Sequence, residues 1–140
     1  MSETTKSALI ADDVPWVSGD IFEAIYGPER LQRIARETER FPERVTSANF
    51  ATLLPQLSEV GVIFSCWGML KLTSEQLEQL PNLKAVFYAS GSVAGFAEPF
   101  LERGILISSG VEANAIPVAE FCLGQILLAC KGYWTNSAAC

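Results

Sequence analysis

The sequence predicts an α/β fold: a flavodoxin-like, doubly wound sheet of five parallel strands, followed by a C-terminal apolar helix that extends towards a second lobe. Strand and helix signals alternate along the chain, which is typical of a parallel sheet with helices on both faces. Right-handed crossovers then leave a flavodoxin-like strand order as the simplest arrangement. The segments 60–64 and 83–89 are apolar without alternation, as expected of strands buried on both faces.

The elements follow from turn and cap signals. An apolar strand covers 7–11. Ser18 is placed to cap a helix over 20–26, Gly27 breaks it, and Pro28 opens a second helical stretch that continues through 40. A weak strand is predicted at 43–46, and Ser47 or Asn49 opens a helix that runs through 57. A strand at 60–64 is followed by a helix over 74–80, whose start carries a capping box of Thr73 and Gln76. The last predicted elements of the sheet are a strand at 83–89, a helix over 97–103 ended by Gly104, and a strand at 105–108.

The last helix is apolar nearly all round. We predict that it is capped by Asn114 and runs over 115–131, with Glu120, Gln125 and Lys131 as its polar residues beyond Pro117. One five-stranded sheet cannot cover every face of such a helix, so we predict that a second domain or a second chain covers it. A membrane span is disfavoured because the run is marginal in length and contains Glu120.

These patterns divide the chain into a flavodoxin-like lobe at 7–112 and an interface helix at 113–134. We expect 1–6 and 135–140 to be disordered. The segment after the helix is neither a cap nor a polar tail, so we expect the chain to be interrupted rather than complete.

Composition excludes several classes of function. The 140 residues are 49% hydrophobic and 19% charged, which is a globular balance. A net charge of −6 argues against nucleic acid or an anionic membrane as a partner. There is no His, which excludes His acid–base chemistry and His metal ligation. The four Cys form no C-x-x-C pair and are interpreted as buried thiols, so we predict no metal site. No signal peptide is evident, and we predict a cytoplasmic protein.

Two loops at the predicted carboxyl edge of the sheet could carry chemistry. Asp12 and Asp13 look like the opening of a receiver domain that binds magnesium. That interpretation is disfavoured because no Asp follows the third strand and no Lys follows the fifth, which leaves a solvated turn. The small residues Ser90, Gly91 and Ser92 follow the fourth strand, and their N–H groups could bind a carboxylate as a backbone nest; an ordinary turn is the alternative.

Two segments resemble a known family. The sequence LPNLKAVFYASG at 80–91 resembles the "LP-x-LK-x-h-x-x-x-G" segment of D-isomer-specific 2-hydroxyacid dehydrogenases. The segments GILISS at 104–109 and ANAIPVAE at 113–120 resemble that family's "GI-x-h…N-x-x-x-VAE" segment. The resemblance covers about 60–131. It departs from the family after the fourth strand, where an Asp is usual and this chain has Ala94, Gly95 and Phe96.

The resemblance implies a two-lobed enzyme that converts a 2-hydroxy acid to a 2-oxo acid. The first lobe would bind the substrate carboxylate through Ser90, Gly91 and Ser92, with Trp67 lining the same cleft. The second, Rossmann lobe would carry NAD or NADP and the catalytic Arg, Glu and His. The cofactor would lie near Asn114 and Val118, for which a helix cap and plain packing are the respective alternatives.

We therefore expect no catalytic residue in these 140 residues. There is no G-x-G-x-x-G, so we expect the chain alone to be inactive and to bind no dinucleotide. The alternative function is a stand-alone interaction module that dimerises through the apolar helix, with exchange of that helix between copies. In both cases we expect a homodimer formed through 115–131.

Overall fold

Five parallel strands form one sheet within residues 4–138, the part of the chain that a computed structural model describes. The strands stand in the order β2-β1-β3-β4-β5, which confirms the predicted flavodoxin-like topology. Their bounds are β1 Lys6–Leu9, β2 Glu39–Arg40, β3 Val62–Ser65, β4 Ala85–Tyr88 and β5 Leu106–Ser109.

The helices connect these strands and then extend beyond the last one. They are α1 Ile21–Glu37, α2 Phe50–Leu53, α3 Ser74–Glu78, α4 Glu98–Glu102, α5 Val111–Cys130 and α6 Tyr133–Ser137, and a 3₁₀ turn, Leu54–Leu57, follows α2 directly. The predicted capping box of Thr73 and Gln76 is present at α3, and Gly104 has the positive φ of 73° expected after α4.

Two apolar clusters hold the helices against the sheet. The larger one packs Ile63, Val86 and Tyr88 of the strands against residues of α2, α3 and α4, with Phe100 fully buried. The smaller one lies on the other face and consists mainly of α1 residues. One face of the sheet is thus covered by α2, α3 and α4, whereas the other face is covered by α1, so the coverage of the two faces is unequal.

The start of α1 agrees with the sequence only in part. Asp20 rather than Ser18 caps the helix, because its Oδ1 accepts hydrogen bonds of 2.9 Å from the N–H groups of Phe22 and Glu23. The break at Gly27 is confirmed: this residue has φ 70° and ψ 162° inside the helical span.

The end of α1 and the second strand were predicted too late in the chain. The helix ends at Glu37, because Thr38 is extended and Glu39–Arg40 pair with β1. The segment predicted as a strand at 43–46 contributes an isolated bridge between Val45 and Ile10, so it continues the same sheet edge without forming the strand itself.

The last helix begins earlier than predicted. Gly110 alone separates β5 from α5, and the N–H of Asn114 donates to the Gly110 carbonyl oxygen at 2.8 Å. Asn114 therefore lies inside the helix, and its assignment as a cap was wrong. None of the residues of α5 is buried, so the sheet of this chain leaves the apolar surface of the helix uncovered, as the sequence indicated. With 20 residues and a mean hydropathy of 1.5, α5 is long enough and apolar enough to cross a membrane, by length and composition only.

The two ends contain more structure than expected. Lys6, in the segment 1–6, belongs to β1, and α6, Tyr133–Ser137, extends three residues into the segment 135–140, although both segments were predicted to be disordered. Residues 1–3 and 139–140 of those segments lie outside the described residues.

The loops after β1 and β3 pack backbone against backbone. The N–H of Asp12 donates to the carbonyl oxygen of Gly68 at 2.9 Å. Gly68 has a φ of 84°, and a Cβ built on it would lie 2.2 Å from the Asp12 carbonyl oxygen. Only glycine satisfies both conditions, because other residues disfavour this φ and the nearest atom belongs to the main chain.

We expect Gly68→Ala to lower the free energy of unfolding by about 2 kcal/mol or more, since strain at positive φ adds to the clash with Asp12. Urea denaturation followed by circular dichroism measures this. Gly95→Ala is the matched control, because a Cβ at Gly95 meets nothing within 4 Å. Equal stability of the two variants would contradict the proposed role of Gly68.

Candidate functional site

The usual ligand crevice of this strand order is closed. In flavodoxin-like sheets, ligands bind beyond the carboxyl ends of the strands at the switch point between β1 and β3. Here the backbones of Asp12 and Gly68 are in contact at that point. At this edge, a cavity of about 260 Å³ lies at the ends of β4 and β5 and is lined by Tyr88, Ala89 and Gly110, among others.

The acidic pair after β1 is engaged in contacts within the chain. Asp12 Oδ1 accepts a 2.7 Å hydrogen bond from the Ser47 N–H. Both carboxylate oxygens of Asp13 accept from Arg44, at 2.7 and 2.8 Å, and this guanidinium lowers the pKa of Asp13. The pair thus ties the β1 loop to the segment after β2 and is more than the solvated turn that the sequence suggested. Residues 4–138 contain no group of three Cys, Asp or Glu side chains that could hold a metal ion.

The loop after β4 has unused hydrogen-bond donors. Ser90 and Gly91 are buried, while Ser92 is exposed. Within the described part of the chain, no group accepts a hydrogen bond from the backbone N–H of Ser90, Gly91 or Ser92. Ser92 Oγ instead accepts from the Ala94 N–H at 3.4 Å, a long hydrogen bond that folds the loop on itself. Three consecutive free N–H groups at the carboxyl edge of a parallel sheet are suited to an anion.

Asn114 lies directly against this loop. A Cβ built on Gly91 would be 3.0 Å from Asn114 Nδ2, so the amide side chain reaches the backbone of Gly91. The N–H of Gly110 donates to the Tyr88 carbonyl oxygen at 3.0 Å and fixes the start of α5 beside β4. The structure therefore brings together the β4 loop and Asn114, which the sequence had assigned to different ligands.

Two other predicted site residues lie outside this group. The side chain of Trp67 is partly buried and packs against the α1 cluster, although its loop follows the strand next to β4. Val118 lies further along α5 and is 58% exposed. A cofactor site beside Val118, as predicted, would therefore need residues from a partner lobe.

Cys66 precedes Trp67 and is fully buried. Burial raises the pKa of its thiol to about 12, with a further contribution from the carboxylate of Asp20. A thiol with this pKa is neutral at physiological pH and is a poor nucleophile. Cys66 therefore has a packing role, as the sequence indicated. Cys122 and Cys130 lie on α5 and are exposed, which corrects their prediction as buried thiols.

Tyr26 of α1 connects the carboxyl ends of β3 and β4, and sequence patterns did not single it out. Its hydroxyl donates to the Ser65 carbonyl oxygen at 2.8 Å and lies 3.3 Å from the Phe87 carbonyl oxygen. Desolvation by burial raises the pKa of this phenol, so it stays protonated. A tyrosine in an amphipathic helix gives no signal in the sequence that its hydroxyl reaches two strand ends.

A cavity of about 440 Å³ lies at the opposite edge of the sheet. It is lined by residues at the amino ends of the strands, including Glu59 and Lys84, and Glu59 forms an ion pair with Lys6. Ligands of open parallel sheets bind at the carboxyl ends of the strands, so this cavity is not the candidate site.

No protein-family model matches the chain, and no curated protein matches it.

We expect Tyr26→Phe to lower the free energy of unfolding by about 1 kcal/mol, because the variant removes the hydroxyl that bonds to the ends of β3 and β4. Thermal denaturation measures the change. Tyr88→Phe is the matched control, because the Tyr88 hydroxyl makes no hydrogen bond to another described residue, and it should leave stability nearly unchanged. An equal loss in both variants would show that the Tyr26 hydroxyl has no special role.

Proposed function

We propose that this chain is the substrate-binding lobe of a NAD(P)-dependent oxidoreductase that converts a 2-hydroxy acid to a 2-oxo acid. The observation that carries the proposal is the row of free N–H groups at Ser90, Gly91 and Ser92. A 2-hydroxy acid and its 2-oxo product share a carboxylate, which is the group that such a row of donors binds best.

The surroundings of the loop favour a small planar anion. Asn114 Nδ2 lies against the backbone of Gly91, where a Cβ would be 3.0 Å from it, and adds an amide donor from α5 to the loop. Arg44, the cation that contacts the acidic loop, is held by Asp13. Neutral donors without a free cation give modest affinity, so the chain alone would bind a carboxylate weakly.

Chemistry would need a second lobe. NAD or NADP, when bound there, accepts the hydride from the hydroxyl-bearing carbon. This chain orients the carboxylate and excludes water from one side of the cleft. Asn114 and Val118 lie on α5, which leaves the sheet beside the β4 loop, so they are the residues of this chain that would face the cofactor.

We expect lactate and pyruvate, used as the smallest acid pair, to shift the amide signals of Ser90, Gly91 and Ser92 in ¹H–¹⁵N spectra. Lactamide has the same shape without the charge and should produce no comparable shift. Gly91→Ala should weaken binding severalfold because its Cβ would crowd Asn114 Nδ2, whereas Gly95→Ala, in open space of the same loop, should not. Equal responses to lactate and lactamide would disprove a carboxylate site.

We expect NADH to show no binding to the isolated chain at micromolar concentrations. The loop at 91–95 lacks the spacing of a dinucleotide-binding turn, and no other segment supplies it. Titration followed by NADH fluorescence measures this. Micromolar binding would contradict the assignment of the cofactor to another lobe.

A second candidate function is a cytoplasmic interaction module that forms a homodimer through 115–131. The observation that favours it is an apolar helix without a buried residue, since monomers rarely expose contiguous apolar patches beyond a few hundred Å². Glu120 and Gln125 lie in the central part of the helix, and polar residues there favour a protein partner over lipid.

A further inference from the structure

Part of the sheet surface on the α1 side has no helix over it. Phe87, Leu106 and Ser108 lie on this surface, and Phe64, which packs against the α1 cluster, borders it, because Phe64 pairs with Phe87 and Phe87 pairs with Ser108 in register. We call Phe87, Leu106 and Ser108 the bare face. Phe64 and Phe87 stack with ring centroids 5.4 Å apart, yet Phe87 is 44% exposed and Leu106 is 72% exposed. A doubly wound sheet normally covers such residues with a helix.

The same chain carries an apolar helix that lacks a surface to cover. The large apolar side chains of α5 are all more than a third exposed: Val111, Ile116, Val118, Phe121, Leu123, Ile126, Leu127 and Leu128. The helix has 20 residues and is therefore about 30 Å long, enough to cross the bare face completely. Two unpartnered apolar surfaces thus occur in one chain, one flat and one cylindrical.

The connection between these surfaces favours exchange between two copies. Gly110 is the only residue between β5 and α5, whereas a strand and a helix that folds back on it are usually joined by 2–6 residues. With this short connection, α5 projects from the sheet and none of its residues is buried. A second copy can place its α5 on the bare face without any change in the connection.

Charge at the rim of the bare face fits the helix. A groove of about 260 Å³ runs between α1 and β3 and is lined by Phe64 and Arg30, among others. Among the described residues, Arg30 bonds to the carbonyl oxygen of Tyr26 and to no carboxylate. Glu120 is the one acidic residue in the apolar part of α5, so a docked helix can place this carboxylate near a cation at the rim.

We propose that two copies of this chain exchange their α5 helices, each helix covering the bare face of the other copy. The arrangement is isologous, because each copy offers both the helix and the face, and it closes as a two-fold dimer. Each of the two contacts buries one side of an α5 helix, which is apolar nearly all round, against the bare face of the other copy. The inference rests on the proposed homodimer and requires no ligand at the carboxylate site.

The test compares two aspartate variants by sedimentation equilibrium of the full chain. Leu106→Asp places a charge on the bare face, at the edge strand β5, and should weaken dimerisation about tenfold or more. Leu101→Asp is the matched control, because Leu101 is 57% exposed but lies on α4, against the other face of the sheet. It should leave the dimer dissociation constant unchanged. Both sites are exposed in the single chain, so neither variant should unfold it.

A third variant separates this inference from the homodimer itself. Phe121→Asp, on α5, should also produce monomers. Loss of the dimer with Phe121→Asp but not with Leu106→Asp would show that the helices pair with each other, which overturns docking on the bare face and keeps the homodimer. A wild-type chain that is monomeric, or that sediments with phosphatidylcholine vesicles instead of dimerising, would overturn both. Lactate binding measured in the same samples reports separately on the carboxylate site.

Discussion

Helices cover the two faces of the sheet unequally, and most of the unusual features of the molecule follow from this. On one face, α2, α3 and α4 enclose a continuous apolar cluster around Phe100. On the other face, α1 covers β1 and part of β3 and leaves Phe87 and Leu106 in solvent. A flavodoxin-like sheet needs a second helix on that side, and the chain has one in α5, but Gly110 holds it away from its own sheet. The exposed apolar surface thus results from the short connection at Gly110 as well as from the apolar composition of α5.

A second constraint is the contact between the loops after β1 and β3. In a sheet of this order, the switch point between those strands is where a crevice normally opens. The main chains of Asp12 and Gly68 fill it, and Asp13 with Arg44 braces the same corner. The candidate site lies on the other side of β3, where Tyr26 ties the strand ends together and the β4 loop has its free N–H groups.

Local signals in the sequence predicted what depends on local physics. The capping box at Thr73, the break at Gly27 and the positive φ of Gly104 depend on residues within one turn, and all three are present. Apart from the choice of Ser18 instead of Asp20 as the cap of α1, the errors in the position of β2 and in the start of α5 occurred where a distant partner decides the outcome. Glu39 and Arg40 became the second strand because β1 pairs with them, and α5 begins at Val111 because β5 leads straight into it. No periodicity within those segments contains that information.

The candidate site shows the same division. Small residues after β4 were enough to select Ser90, Gly91 and Ser92, because a loop at the carboxyl end of a parallel strand is a general place for ligands. The approach of Asn114 to Gly91 was not predictable, since it depends on the first turns of α5 being set by Gly110. Asn114 consequently belongs both to the loop that offers free N–H groups and to the helix that lacks a cover. Whatever fixes the direction of α5, a second lobe or a second copy, also fixes the amide of Asn114 relative to Gly91, so partner binding and anion binding share one structural element.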